Sequence, residues 1–240
     1  MRNVIEISNL YKSFGKTKVL VGIDQTFEES KITVILGPNG SGKTTMIKSI
    51  LGMVIPDKGS IKVLNSNIQN QWSYRDSISY MPQIANFPAN LTVKELINMI
   101  TDIRVSNNTK QLELIKDFGL QSFMKVRLSN LSGGTKQKVN IMLAFMYDSP
   151  IMILDEPTNG LDPVALIRLK ELIKEKKEAG ISLIITTHIM QLVEELADEI
   201  IFLLDGNIYF KGTVESLKNK FDEQDIERAI AKILISNNVV

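Results

Sequence analysis

The clearest chemistry in the chain lies in nine consecutive residues, Gly37, Pro38, Asn39, Gly40, Ser41, Gly42, Lys43, Thr44 and Thr45. They follow the phosphate-loop spacing of a glycine, four residues, then Gly-Lys-Thr. The β-branched, apolar run at residues 32–36 reads as a buried strand entering the loop. Ile47, Ile50 and Leu51 then recur at helical spacing, with Gly52 placed to end the helix. A glycine-rich turn between strand and helix lets backbone N–H groups converge on an anion, and the helix N-terminus adds its positive end. Gly37, Gly40 and Gly42 are expected to keep side chains out of that approach. Lys43 is expected to reach the β- and γ-phosphates of a nucleotide, and Thr44 to offer its hydroxyl to Mg²⁺. A turn that binds nothing would have no use for the Lys-Thr pair.

Further candidates are scattered along the chain. The apolar run at residues 151–154 ends in two adjacent carboxylates, Asp155 and Glu156. Asp155 suits a water-mediated contact to Mg²⁺, and Glu156 is then placed to polarise an attacking water as general base. Taken alone, the pair fits a solvated acidic turn equally well. Ser132, Gly133 and Gly134 make a second potential anion cradle, a hydroxyl and bare N–H groups where a helix begins. The same residues also fit an ordinary N-cap. Gln83 and His188, the only histidine, each follow a short apolar run, and residues 159–162 (Asn-Gly-Leu-Asp) lie close behind Glu156. Asp162 is also a good helix N-cap. Phe14 and Tyr11 are candidate aromatic platforms, with a core role open for either.

These groups need elements to bring them together. Alternation and turn residues predict strands over 4–7, 18–26, 61–64, 77–81, 181–186 and 199–204, with 207–211 closing a hairpin around Asp205-Gly206. The first two strands read as an antiparallel hairpin, turning at residues 12–16 and flanking the strand of the phosphate loop. A turn is expected at residues 58–60. Residues 84–150 read as a helical insert, with helices over 92–101, 109–118 and 135–146. Thr92 and Glu95 have capping-box spacing, and Val139, Met142, Leu143 and Met146 share one helical face. Asp162-Pro163 opens a helix to about residue 178, with Leu166, Leu169, Leu172 and Ile173 as its apolar stripe. Another helix is expected over 190–197, and the tail from 214 reads as one or two short helices.

The fold class is therefore α/β, a mostly parallel sheet with an N-terminal antiparallel β subdomain and a helical insert. Residues 1–83 and 151–213 form the nucleotide core, 84–150 the helical subdomain, and 214–240 a helical tail. At 240 residues the chain can bury a sizeable core. It has 28 Lys and Arg against 27 Asp and Glu, so no bulk field draws nucleic acid or an anionic membrane. Cysteine is absent, which excludes disulfides and thiolate metal sites. Residues 1–8 lack an apolar stretch, so no secretory signal is expected. No apolar run approaches the ~18 residues of a membrane span. A membrane role would have to come through a partner.

Taken together and in this order, the motifs resemble those of the ATP-binding subunits of ABC transporters, over residues 3–215. Ser132-Gly133-Gly134 resembles that family's signature motif, which few other phosphate-loop proteins carry. One departure is Thr135, where the family usually has glutamine, and an altered contact is expected there. The resemblance implies a P-loop NTPase core binding ATP and Mg²⁺, with Thr44, Gln83 and Asp155 toward the metal and Glu156, His188 and Gln83 in catalysis. Gln83 resembles the glutamine loop that reports the γ-phosphate to the helical insert. His188 resembles the switch histidine, residues 159–162 the D-loop, and Phe14 the aromatic that stacks on adenine. The resemblance also implies an ATP-dependent head-to-tail dimer, each nucleotide held between the phosphate loop of one copy and residues 132–134 of the other. An integral membrane permease is expected to dock beside Gln83 and the helical subdomain, which would hold the chain on the inner face of the cell membrane. Residues 89–96 and 143–146 most resemble ATPases serving the permease of nitrous oxide reductase copper-site maturation. The alternative is a soluble ATP-gated assembly scaffold on the same fold. A nucleic-acid clamp would need a long coiled-coil insertion that this chain lacks, and a P-loop kinase leaves the signature unexplained.

Overall fold

Strands and helices alternate along the chain, and a computed structural model describes them over residues 2–104 and 110–237. Two sheets form. The first, antiparallel, has the order β2-β1-β4-β5, from β1 (Asn3–Phe14), β2 (Thr17–Glu28), β4 (Lys58–Val63) and β5 (Ser66–Asn67). The second has the order β10-β9-β3-β8-β7-β6, from β3 (Ile32–Leu36), β6 (Ile78–Met81), β7 (Ile151–Asp155), β8 (Ser182–Thr186), β9 (Glu199–Leu204) and β10 (Asn207–Gly212). All its pairings are parallel except β9 with the edge strand β10.

Every residue of β3, β7 and β8 is buried, as expected of parallel strands covered on both faces. Alternation along these strands splits the apolar side chains between two cores. Leu36, Met152, Leu154 and Ile185 face one side, where they pack with the helices α2 (Val93–Ile103), α3 (Gln111–Asp117), α4 (Gly133–Phe145) and α5 (Pro163–Glu178). Ile35, Ile153 and Ile184 face the other, against the antiparallel sheet and α1 (Lys43–Ile50). The helices between the two nucleotide motifs thus share one continuous core with the main sheet. Helix α6 (Met190–Leu196) and the tail helices α7 (Val214–Phe221) and α8 (Ile226–Ser236) complete the first core.

Several expectations change. The β1–β2 hairpin does not flank β3, whose neighbours are β8 and β9. It belongs to its own sheet and meets the main one at an edge, where Val21 N–H donates to Gly206 O at 2.9 Å. Both hairpin strands are longer than alternation shows, because β-bulges in β1 break the period of two. Residues 58–60 lie inside β4. A Cβ on Gly59 would come within 2.3 Å of Asn9 O, so the glycine reports close backbone approach to β1. Leu64, expected at a strand end, sits at φ 48° in the β4–β5 turn. Helix α4 begins two residues earlier than predicted, and Thr109 lies outside the described residues. The capping box of α2 is present, Thr92 Oγ1 accepting from Glu95 N–H and Glu95 from Thr92 N–H.

Candidate nucleotide site at the carboxyl edge of the parallel sheet

Parallel pairing places the carboxyl ends of β3, β6, β7 and β8 along one edge of the main sheet. Such an edge is where open α/β sheets bind ligands. The phosphate loop leaves β3, Gln83 follows β6, Asp155 and Glu156 end β7, and His188 follows β8. Residues spread over 150 positions of sequence therefore share one edge. A cavity of about 390 Å³ opens there, lined by Phe14, residues 39–45, Gln83, Asp155 and Glu156.

The loop's glycines answer to the protein more than to the space above them. A Cβ on Gly37 (φ 148°) would come within 2.2 Å of Leu203 O, and one on Gly42 (φ 106°) within 2.7 Å of Val19 O. Gly40 has open space around it but holds φ 82°, which other residues rarely adopt. Gly37 and Pro38 do not line the cavity. Their carbonyls instead accept from Lys43 Nζ at 2.6 and 3.0 Å, folding the ammonium back over the loop. Burial pushes the Lys43 ammonium down, against the opposing pull of Glu156 and Asp155. Ser41 Oγ is buried without a hydrogen-bond partner.

At the end of β7, Asp155 and Glu156 are 3% and 7% exposed, so neither is a solvated acidic turn. Thr186 holds both: its hydroxyl donates to Asp155 Oδ1 at 2.5 Å and accepts from Glu156 N–H at 3.0 Å. Glu156 sits at φ 50°, a conformation that carboxylate side chains seldom adopt and that turns it out of the strand. His188 Nδ1 lies 2.9 Å from Glu156 Oε2, yet that buried oxygen receives no hydrogen bond of good geometry. The imidazole itself is 69% exposed. Tyr80 on β6 has its hydroxyl pushed up to about 12 by burial and by the charge of Asp155.

Phe14 is 52% exposed at the cavity, with Lys12 Nζ 5.3 Å from its ring centroid. Tyr11 lies elsewhere, against Gly22 across the β1–β2 pair. Ser132, Gly133 and Gly134 stand outside the cavity at the exposed start of α4. Ser132 caps that helix, accepting from Thr135 N–H, and its hydroxyl also meets Thr135 Oγ1 at 2.8 Å. Helix α4 is tied to the loops on either side of it. Gln137 donates to Pro157 O, Asn140 donates to Pro82 O beside Gln83, and Lys138 pairs with Asp162 at 2.5 Å. That pairing, with the Ala165 N–H bond, holds the Asp162 carboxyl below its ordinary range. A Cβ on Gly134 would come within 2.8 Å of Gly160 O, so the signature glycine seats the helix against residues 159–162.

Thr186 and Asn140 escaped the sequence reading. Their only signal is a polar residue inside an otherwise apolar segment, which by itself names no partner. As to a metal, among the described residues no cluster of three His, Cys, Asp or Glu side chains could chelate one alone. The hydroxyl of Thr44, the carboxylate of Asp155 and the amide of Gln83 nonetheless fit a hard cation that arrives with phosphate oxygens and water.

The same arrangement defines a known family. The family model described as ABC transporter matches residues 20–159. The chain is 32% identical to the ABC-type transporter ATP-binding protein EcsA of Bacillus subtilis, over 93% of this chain and 92% of that protein. It is also 32% identical to the lantibiotic transport ATP-binding protein SrtF of Streptococcus pyogenes, over 90% and 93% of the two chains. With the bacitracin transport ATP-binding protein BcrA of Enterococcus faecalis the identity is 31%, over 99% and 80%. A solved ATP-binding subunit of an ABC transporter superposes with a TM-score of 0.88 at 26% identity, covering 95% of this chain and 98% of that one. A dimeric ATP-binding cassette in a post-hydrolysis state, bound to ADP and Pi, gives a TM-score of 0.79 at 25% identity, covering 87% and 98%. The chain belongs to the ABC transporter ATP-binding family: it is an ATPase with the P-loop NTPase fold, a transporter's ATP-binding subunit.

Proposed function

We propose that two copies of this chain close head to tail around two ATP molecules, and that the closing and opening drive a separate permease. The observation that carries this reading is the split of the anion-binding groups. Residues 39–45 line the nucleotide cavity of their own chain, while Ser132 and Gly133 stand exposed outside that cavity at the start of α4, with Gly134 half-buried behind them. A cradle facing away from its own nucleotide is suited to the nucleotide of a second copy, in a two-fold arrangement that closes.

In this reading Phe14 stacks on the adenine, and the N–H groups of residues 39–45 surround the phosphates. Lys43 leaves the carbonyls of Gly37 and Pro38 for the β- and γ-phosphates. Thr44 and Asp155 would hold Mg²⁺, with Gln83 reaching it too, and the ion would supply charge neutralisation to the phosphates. Glu156 takes the proton of the attacking water, whose oxygen bonds to the γ-phosphorus as the bond to the β-phosphate oxygen breaks, releasing ADP and Pi. His188, 2.9 Å from Glu156 Oε2, holds that carboxylate and the γ-phosphate in register. Ser132 must turn from Thr135 to meet the other copy's γ-phosphate, so Thr135 weakens the signature contact without removing it. Loss of the γ-phosphate releases both sides, and the pair opens.

Next to Gln83 a groove of about 280 Å³ runs between Pro82, Phe87, Ile100, Asn140, Leu143 and Tyr147. The bond from Asn140 to Pro82 O joins its two walls, and we assign the groove to the permease. Residues 84–150 act as the moving subdomain, 1–83 with 151–213 as the nucleotide core, and 214–240 as the tail. Among the described residues no helix is long and apolar enough to cross a membrane, so attachment to the inner face of the membrane falls to the permease. Leu143 and Ala144, within the segment that resembles the copper-site maturation ATPases, line this groove, which supports a permease of that system. A second reading is export of a peptide antibiotic, favoured by the relatives named for lantibiotic and bacitracin transport. The soluble-scaffold alternative gains nothing from relatives that are named as transporter subunits.

The test is Glu156→Gln. ATP hydrolysis, measured as phosphate release, should fall by about 10²- to 10³-fold, while ATP-dependent dimerisation on gel filtration persists. Hydrolysis at the parent rate would remove the general-base assignment. Co-purification with a multi-span membrane protein would support transport, whereas exclusively soluble partners would favour a scaffold.

A further inference from the structure

A second cavity, of about 210 Å³, lies on the far side of α1 from the nucleotide. It sits between the C-terminal end of that helix, the β4–β5 hairpin and the single 3₁₀ turn Ser73–Ser77. Ile55, Ile61 and Trp72 give it apolar walls, and Trp72 (67% exposed) stands at its mouth. Polar residues line it as well, among them Ser49, Ser60, Asn67 and Gln71, and two, Tyr74 and Arg75, carry buried polar atoms without hydrogen-bond partners. Tyr74 is 8% exposed, and its hydroxyl has no hydrogen-bond partner. Arg75 donates through Nη2 to Gly52 O at 3.1 Å, but its buried Nε–H donates to nothing. Among the described residues no carboxylate pairs with this guanidinium, whose carbon lies 5.0 Å from the ring centroid of Trp72 and 5.9 Å from that of Tyr74. The two polar groups converge: a Cβ on Gly52 would come within 2.6 Å of Tyr74 Oη and 2.8 Å of Arg75 Nη2.

A buried phenol without a partner and a buried guanidinium N–H without one line the same cavity as Ile55, Ile61 and Trp72, and an anion with an apolar body complements both. Each buried donor left unmade carries a desolvation penalty that such a ligand would remove. A carboxylate is the complement that Arg recognises best, and the aromatic lining suits a flat hydrocarbon group. We propose that this cavity binds a small amphipathic carboxylate, its charged end on Arg75 and Tyr74 and its apolar end between Ile55, Ile61 and Trp72. The guanidinium also offsets the negative C-terminal end of α1, which would otherwise repel the ligand.

Trp72 is the only tryptophan of the chain, so its emission reports the site without labelling. Phenylbutyrate titrated into the full chain under selective tryptophan excitation should give a saturable change in emission. Neutral phenylbutanol should bind at least about tenfold more weakly, the loss expected when a charge-assisted hydrogen bond becomes a neutral one. Arg75→Gln should abolish the response. Tyr74→Phe keeps the ring in the core and should weaken binding about fivefold, so the proposal stays testable if Arg75→Gln fails to fold. Saturating ATP should leave phenylbutyrate binding unchanged, because the phosphate loop is at the other end of α1. Absence of a saturable change, equal binding of the alcohol, parent-like binding by Tyr74→Phe, or displacement of phenylbutyrate by ATP would each overturn the proposal. None of these results depends on whether the chain drives a permease.

Discussion

Two glycine-containing turns open helices in this chain, and they are built differently. The loop before α1 is locked by its own protein: Gly37 and Gly42 hold positive φ, and Leu203 O and Val19 O occupy the space that a Cβ on each would need. Lys43 is folded in, its Nζ bonded to two loop carbonyls. The turn before α4 is open. Neither Gly133 nor Gly134 has positive φ, nothing lies within 4 Å of where a Cβ on Gly133 would be, and Ser132 is exposed. The first turn is thus fixed by contacts within its own chain, with Lys43 held on the loop. The second keeps an exposed face, while Ser132 caps α4 through Thr135 N–H and Gly134 packs against Gly160 O in the loop behind Glu156. Under the proposed dimer the first would be completed by one chain and the second by another copy.

Substitutions can break or sharpen this difference. The largest effect is expected from Lys43→Ala, which should reduce ATP turnover by at least about 10²-fold, the scale for losing one preorganised charge contact to the reacting group. Phosphate release and nucleotide binding check it. Next, Gly42→Ala should destabilise the monomer by about 2–3 kcal/mol, through both strain at φ 106° and the collision with Val19 O. Gly133→Ala should leave the thermal midpoint unchanged or slightly raised, since alanine favours a helix by roughly 0.5–1 kcal/mol over glycine. It should impair only ATP-dependent dimerisation. Equal losses of stability in both variants would erase the distinction between the two turns. Thr135→Val should free the Ser132 hydroxyl and tighten ATP-dependent dimerisation about fivefold, the worth of one hydrogen bond near 1 kcal/mol.

The smallest effect concerns pH. The Lys43 pKa is lowered in the fold by burial, so the unfolded chain binds the proton more tightly. Between the folded and unfolded values the unfolded state carries more protons, and stability rises with pH through that window. Below it the buried ammonium is a constant penalty. Lys43→Met should therefore raise the melting temperature near neutral pH by about 1 °C, as expected for well under 1 kcal/mol in a chain of this size. It should also remove the alkaline rise. Melting curves of both proteins at neutral and alkaline pH check this, and binding of the triphosphate should oppose the shift.

The sequence by itself determined the elements whose cause is local. Glycine spacing and the Lys-Thr pair located the phosphate loop, Thr92 and Glu95 set the start of α2, and the short apolar runs at 32–36, 151–154 and 181–186 matched β3, all but the last residue of β7, and the whole of β8. Each depends on neighbours a few positions away, where backbone sterics and periodicity act. Only the tertiary structure decided what long-range contacts decide. It placed the first hairpin in a separate sheet, put residues 58–60 inside β4, and ran one core from the helical insert into the main sheet. It also gave Asp155 and Glu156 to Thr186, 31 and 30 residues away, and turned Tyr74 and Arg75 to the same point beside Gly52. The physical reason is that a side chain's type states which bond it can make, while its partner is fixed by which strands lie parallel and where their ends meet.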